Sequence, residues 1–306
     1  MSTAAPPAAP PVAQDSIPEI AAIADRLGPP IEGPTALGGG WHRLAHLTWT
    51  LSTTDFKLKF FGSVLGYLWQ IMRPLMMFGV LFVVFSLFLR LGNAVEYYPV
   101  ALLSGIVLYT FLNESTSGAV NSLVNRETLV RKVQFPRLAI PISVVLTALF
   151  NLALNLIPVV VALLILGGTP MWTWLQLPLL FLLLTIFALG LSMMLSALFV
   201  RYRDVEPIWD VALQTLFYAS PVIYPIDLLL DDPKYATLGE WLVRLNPFAA
   251  ILQQFRHDFI APSHMTAADA VGGAQWLLIP AAIIVVTSVF GFVIFRRAAP
   301  RVAEEL

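Results

Sequence analysis

The sequence predicts an all-α, polytopic membrane protein with six transmembrane helices, and three observations carry that reading. Of its 306 residues 58% are hydrophobic and only 12% charged, with a mean hydropathy of +0.78, whereas soluble domains are about a quarter charged. Apolar runs recur at residues 64–89, 99–123, 138–166, 172–200, 207–220 and 275–295, most of them as long as the ~20 residues that a ~30 Å hydrocarbon core demands. Lysines and arginines gather in alternate connections, around residues 57–59, 126–137, 201–203 and 296–301, which sets both termini in the cytoplasm of a multi-pass plasma (inner) membrane protein. The net charge of −1 is spread over these loops, so no basic patch calls for nucleic acid. The absence of cysteine removes disulfides, thiolate nucleophiles and cysteine metal sites.

In chain order, residues 1–40 are rich in proline and alanine with Arg26 as the only basic residue. They lack a charged n-region and the apolar core of a signal peptide, and a disordered cytoplasmic tail is expected. Residues 41–61 place Leu44, Leu47, Leu51 and Leu58 on one stripe and Arg43, His46, Thr50 and Lys57 on its neighbour. That is the pattern of a helix lying in the membrane interface, or of an amphipathic helix packed on protein. His42 and His46 are four apart, but no third ligand is evident, and no metal site is expected. Residues 62–306 make the transmembrane domain. The fifth run is short and carries Asp210 and Gln214, so it is expected to continue into the SPVIYPI stretch beyond.

Between the second and third runs stands NRETLVRKVQFPR, residues 125–137. A charge at the bilayer centre costs about 2.5–3.5 kcal/mol on insertion scales, so this segment is a handle in water or against another protein. Residues 221–274 face outward, and their apolar clusters, broken by Pro221, Pro225 and Pro247, are too short to cross. Either short re-entrant helices over 221–260 or a small folded cap would accommodate them. Glu114, Asn151, Asn155, Asp210 and Gln214 are costly inside a span and face a pathway or one another. Phe78, Phe82, Phe85, Tyr109 and Tyr218 offer rings on which sugars could stack, although aromatic belts also form at membrane interfaces for their own reasons. The chain carries no G-x-x-x-x-G-K, G-x-S-x-G or H-E-x-x-H pattern, so no phosphate loop, nucleophile elbow or metalloprotease site is present. His257 and Asp258 are the one outward acid–base pair to consider, and adjacent residues on a helix point apart.

The strings FKLKFFGSVLGYLWQIMRPL at 56–75, KVQFPR at 132–137, RYRDVEPI at 201–208, SPVIYP at 220–225 and LNPFAAILQQFR at 245–256 resemble the permease subunit of ABC exporters for O-antigens and teichoic acids. The resemblance runs from about residue 41 to the C-terminus; where Arg73 stands, that family often has asparagine. It implies a homodimer paired with two copies of a separate cytoplasmic ATPase, which would bind ATP and magnesium, with no cofactor in this chain. It implies a coupling segment that meets the ATPase at Asn125, Arg126, Glu127, Arg131, Lys132, Phe135, Pro136 and Arg137. It implies an outer gate with Pro221, Tyr224, Pro225, Asn246, Pro247 and Arg256. The cargo would be a polyprenyl-diphosphate-linked glycan moving beside membrane lipids, an O-antigen, teichoic acid or cell-wall galactan. Arg43, Lys57, Lys59 and Arg73 are placed to meet its diphosphate through charge-assisted hydrogen bonds. A drug or non-glycan lipid cargo, and a membrane enzyme acting on polyprenyl-linked sugars, remain the alternatives.

Overall fold

The computed structural model describes residues 40–60, 65–88, 96–131 and 135–300. The expected tail over 1–39 and Lys132 of the coupling segment lie outside the described residues. Every element among the described residues is helical. Among the described residues four stretches are long and apolar enough to cross a membrane: Gly66–Ser86, Ala139–Ile165, Trp172–Arg201 and Ala274–Ala298.

The order is α1 (Trp41–Phe60), α2 (Gly66–Phe82) running into a π-helical turn (Val83–Phe88), α3 (Tyr98–Val120) and the single turn α4 (Glu127–Val130). After α5 (Ala139–Ile165), a 3-10 turn (Trp172–Gln176) leads into α6 (Leu177–Arg201), followed by α7 (Val205–Ala219) and α8 (Asp227–Leu230). The chain ends with α9 (Ala236–Leu245), α10 (Pro247–Phe259), α11 (Ala267–Ala270), a second 3-10 turn (Ala274–Leu277) and α12 (Leu278–Ala298).

The hub is α3, buried along most of its length and packed on α5, α6, α2 and α7. Its middle is apolar and its last turns carry Ser115 and Thr116, whose hydroxyls donate back to the carbonyls of Phe111 and Leu112. Buried hydroxyls are thus satisfied within the helix that bears them. With Asn113 and Glu114 included, α3 is 23 residues long yet more polar than the four apolar stretches. At 15 residues α7 is about 22 Å long, short of a ~30 Å core. It does not continue into SPVIYPI: Ser220 is extended at φ −92°, ψ 148°. The cause is Pro221, whose ring pushes the preceding residue out of helical backbone.

α6 and α12 touch through small residues. A Cβ on Gly291 would sit 2.1 Å from the Gly190 carbonyl oxygen, and one on Gly190 2.7 Å from the Cα of Ser288, while Ser288 Oγ donates to the Ile186 carbonyl at 3.1 Å. Close backbone approach through small residues is how helices pack where lipid removes the hydrophobic drive between them. Gly291→Val is expected to force the helices apart and cost at least about 1–3 kcal/mol, seen as a drop in the thermal midpoint in detergent. The exposed Gly79, with nothing near a Cβ, is the matched control: Gly79→Val leaves the midpoint unchanged.

Candidate functional site

On α1, Leu44, Thr48 and Ser52 recur every four residues and are buried, seating the helix on α5. The same stripe continues to Asp55 and Lys59, so both project toward α3 and α5. Arg43 and Lys57 lie roughly 160° around the helix from Lys59 at 100° per residue, and both are exposed. Trp41, Trp49 and Leu58 are exposed as well.

Asp55 and Lys59 meet Arg73 of α2, Glu114 of α3 and Asn151 of α5 around an open cavity of about 280 Å³, whose wall is completed by Val144, Thr147 and Ala148. Glu114 is its best-held group. Its carboxylate accepts from Gln70 Nε2 at 3.0 Å and from Asn151 Nδ2 at 2.5 Å, and Lys59 Nζ stands 3.6 Å away. Asp55 takes an ion pair from Arg126, which also donates to Ser143 Oγ at 3.1 Å. Arg73 is exposed and makes no ion pair or hydrogen bond with another described residue. Sequence reasoning named Lys59, Arg73, Glu114 and Asn151 for separate reasons; the fold brings them to one cavity. It missed Asp55 and Gln70, although Asp55 shares the stripe of Leu44 and Ser52 and was legible by counting in steps of three and four.

The segment 125–137 is less exposed than its charge suggests. Val130, Phe135, Pro136 and Arg137 are buried, with Val130 and Phe135 packed among Leu44, Leu123, Leu138, Met193, Val200 and Phe295. The outward surface is Asn125, Thr128 and Arg131, the last paired with Glu127 at 2.5 Å. A further link joins α3 to the start of α7: Asn121 Nδ2 donates to Glu206 Oε1 at 2.6 Å.

The remaining site residues divide by face. Tyr109 is buried, donates to the Leu213 carbonyl at 2.6 Å and packs edge-on against Phe217 and Phe248. Asn155 is buried too. Asp210, Gln214 and Tyr218 are exposed and repeat every four residues along α7, on the stripe next to the buried Leu213 and Phe217. Phe78 and Phe82 stack at 5.5 Å, and Phe85 lies in the π-helical turn, a local irregularity common at working positions of helices.

At the other end, Asn246 caps α10 by accepting from the Ala249 amide at 3.2 Å and donates to Ser220 Oγ at 2.8 Å; Pro247 occupies the first turn, where its missing N–H is harmless. Pro221 and Pro225 are buried, and Tyr224 OH donates weakly to the Tyr218 carbonyl at 3.4 Å. Arg256 is buried and donates from Nη2 to the carbonyls of Val222 at 3.0 Å and Ala101 at 3.3 Å. Burial lowers its pKa to about 10, so it stays charged at neutral pH. The absence of a side chain at Gly105 makes the room: a Cβ there would sit 3.0 Å from the Val222 oxygen and 3.3 Å from the guanidinium. Asp258 is wholly buried and accepts from Gln254 at 3.0 Å. His257 Nδ1 donates to the His264 carbonyl at 2.8 Å. The pair is used in packing and is not arranged as an acid–base site.

His264 is buried, and burial together with the nearby Arg256 pushes its pKa down to about 4. An unburied histidine titrates near 6.5, so below that pH the unfolded segment takes up a proton that the folded one refuses, and stability falls as pH drops from about 6.5 toward 4. The charged and titratable groups acting on it are Arg256, His257 and Glu96. Hydrogen exchange across residues 260–272 is expected to rise at pH 5 relative to pH 7.5, and His264→Asn to remove that slope.

A bundle of membrane-length helices, tied at one end by a short ion-paired loop and capped at the other by broken helices, defines a polytopic membrane transport subunit. A profile of the ABC-2 type transporter family matches residues 46–260, and the chain belongs to that family. It is 26% identical to an O-antigen export system permease protein RfbA of Klebsiella pneumoniae over 258 residues, 84% of this chain and 93% of the relative. A second protein of that name from Klebsiella pneumoniae is 27% identical over 69% of this chain and 78% of its own length. One from Myxococcus xanthus is 28% identical over the same shares.

Proposed function

We propose that this chain is the membrane-spanning permease of an ATP-driven exporter that carries a polyprenyl-diphosphate-linked polysaccharide, of the O-antigen kind, from the cytoplasmic to the outer side of the plasma membrane. The match to O-antigen export permeases across 84% of the chain carries this reading. In it α3 and α7 join the four apolar stretches as six crossings, and both termini are cytoplasmic. The chain is itself no enzyme: a separate ATPase, in two copies on a homodimer of this chain, binds ATP and magnesium and grips the loop around Asn125, Thr128 and Arg131.

The headgroup enters from the inner leaflet at Lys59 and Arg73, while Arg43 and Lys57, across α1, hold the helix to anionic lipid headgroups. The exposed stripe of Asp210, Gln214 and Tyr218 on α7 faces the second copy and lines the path of the glycan. Closure of the ATPase pulls α4, and the spans shift as rigid bodies to open the outer segment around Asn246 and Arg256.

The reading is tested by depleting the protein in its host. Full-length glycan on its polyprenyl carrier is expected to accumulate on the cytoplasmic face while surface polymer falls. Loss of the polymer itself would assign the protein to synthesis, and unchanged glycan would assign it another cargo.

A further inference from the structure

We infer that the cavity between α1, α2, α3 and α5 binds a glycosyl phosphate, and so reads the first sugar next to the carrier lipid. The inference rests on the exporter reading for the source of that ligand and on the cavity for its chemistry. The lining presents two kinds of group side by side. Lys59 and Arg73 supply positive charge, Arg73 without a partner among the described residues; Asp55, Glu114 and Asn151 stand beside them. A bare phosphate or diphosphate would use the cations and set its charge against two carboxylates, a repulsion that grows in a partly desolvated site. A neutral glycan would use the carboxylates and leave Arg73 idle. A phosphate ester that also bears free hydroxyls satisfies both, phosphate oxygens accepting from Lys59 and Arg73 while sugar O–H groups donate to the carboxylates.

Three features of the cavity favour that match. The Glu114 carboxylate is held on both oxygens, by Gln70 and by Asn151, so it is positioned before any ligand arrives. Among the described residues Asp55 is bonded through Oδ2 alone, leaving Oδ1 able to accept. The volume of about 280 Å³ is at the small end of ligand sites, which run roughly 300–1,000 Å³; it has room for a phosphate and one ring, and further sugars would extend out through its open side. Selection therefore falls on the lipid-linked end of the polymer and is blind to the repeating unit beyond it.

The same chemistry occurs in phosphatidylglycerol, a phosphate ester with two free hydroxyls, and the experiment separates the two sources. The full-length protein in phosphatidylcholine nanodiscs is titrated with farnesyl diphosphate and with farnesyl-diphospho-N-acetylglucosamine, and affinities are read by calorimetry. The sugar-bearing ligand is expected to bind at least tenfold tighter, a comparison that needs no variant. Glu114→Gln and Asp55→Asn are each expected to remove most of that ratio. Arg73→Gln, at an exposed side chain, weakens both ligands about equally. Equal affinity of the two ligands, or a ratio that survives both carboxylate changes, overturns the inference and leaves the exporter reading in place. Binding of neither polyprenyl ligand overturns both. Displacement by phosphatidylglycerol at the same concentration as the sugar-bearing ligand would assign the site to bulk lipid and overturn it as well.

Discussion

Arg126→Ala is expected to lower glycan export at least tenfold while the protein remains folded and in the membrane. Arg126 lies at the start of the loop that the ATPase is proposed to grip, and its guanidinium holds Asp55 on α1 and Ser143 on α5. Asp55 is also part of the cavity wall, so one ion pair joins that loop to the cavity. Its two side chains are about one-fifth and one-third exposed, so the pair is worth more than a surface bridge, typically under about 1 kcal/mol, and less than a fully buried one. Most of the predicted effect is therefore on coupling and little on stability. In vesicles carrying the permease with its ATPase, Arg126→Ala is expected to keep basal ATP hydrolysis and lose its stimulation by lipid-linked glycan. The charge swap Asp55→Arg with Arg126→Asp restores part of the stimulation, since the pair is remade in reverse. Full stimulation in the single variant would show that force reaches the spans by another route.

The second large effect is on stability. Arg256→Met keeps volume and removes the donor, leaving the Val222 carbonyl without the guanidinium, while the Ala101 carbonyl keeps the Ser104 hydroxyl. A loss of about 2–4 kcal/mol is expected, because buried acceptors left unmade cost more than a formed bond returns. Its signature is local: limited proteolysis should open residues 221–274 well before the rest of the chain. Arg256→Lys, with one ammonium in place of a planar fork, should fall between. If Arg256→Met unfolds at the wild-type temperature, the guanidinium does not pin the outer segment.

Some of this was plain from the residues. Four of the six expected spans stand as long apolar helices, because a bilayer-length apolar run has few other stable forms. A helix stands at Trp41–Phe60, where the stripe over 41–61 is written in steps of three and four. Pro221, Pro225 and Pro247 marked where the outer segment breaks. What was not legible has a common cause. Phe135, Pro136 and Arg137 read as an accessible handle, but all three are buried, Phe135 in a cluster with Leu44, Val200 and Phe295, far away in sequence. Tyr109 read as a ring for a sugar, but its hydroxyl is taken by a carbonyl on α7. His257 and Asp258 read as a possible acid and base, and α10 turns them into packing.

The sequence alone determined that the chain is helical, lies in a membrane and has no phosphate loop of its own, because those properties follow from composition, run length and motif and need no neighbours. Only the tertiary structure decided which polar residues work together. Lys59, Arg73, Glu114 and Asn151 come from four helices, and no spacing along the chain tells which face of each meets the others. Helix packing sets those rotations, and with them the cavity in which two cations and two carboxylates stand together.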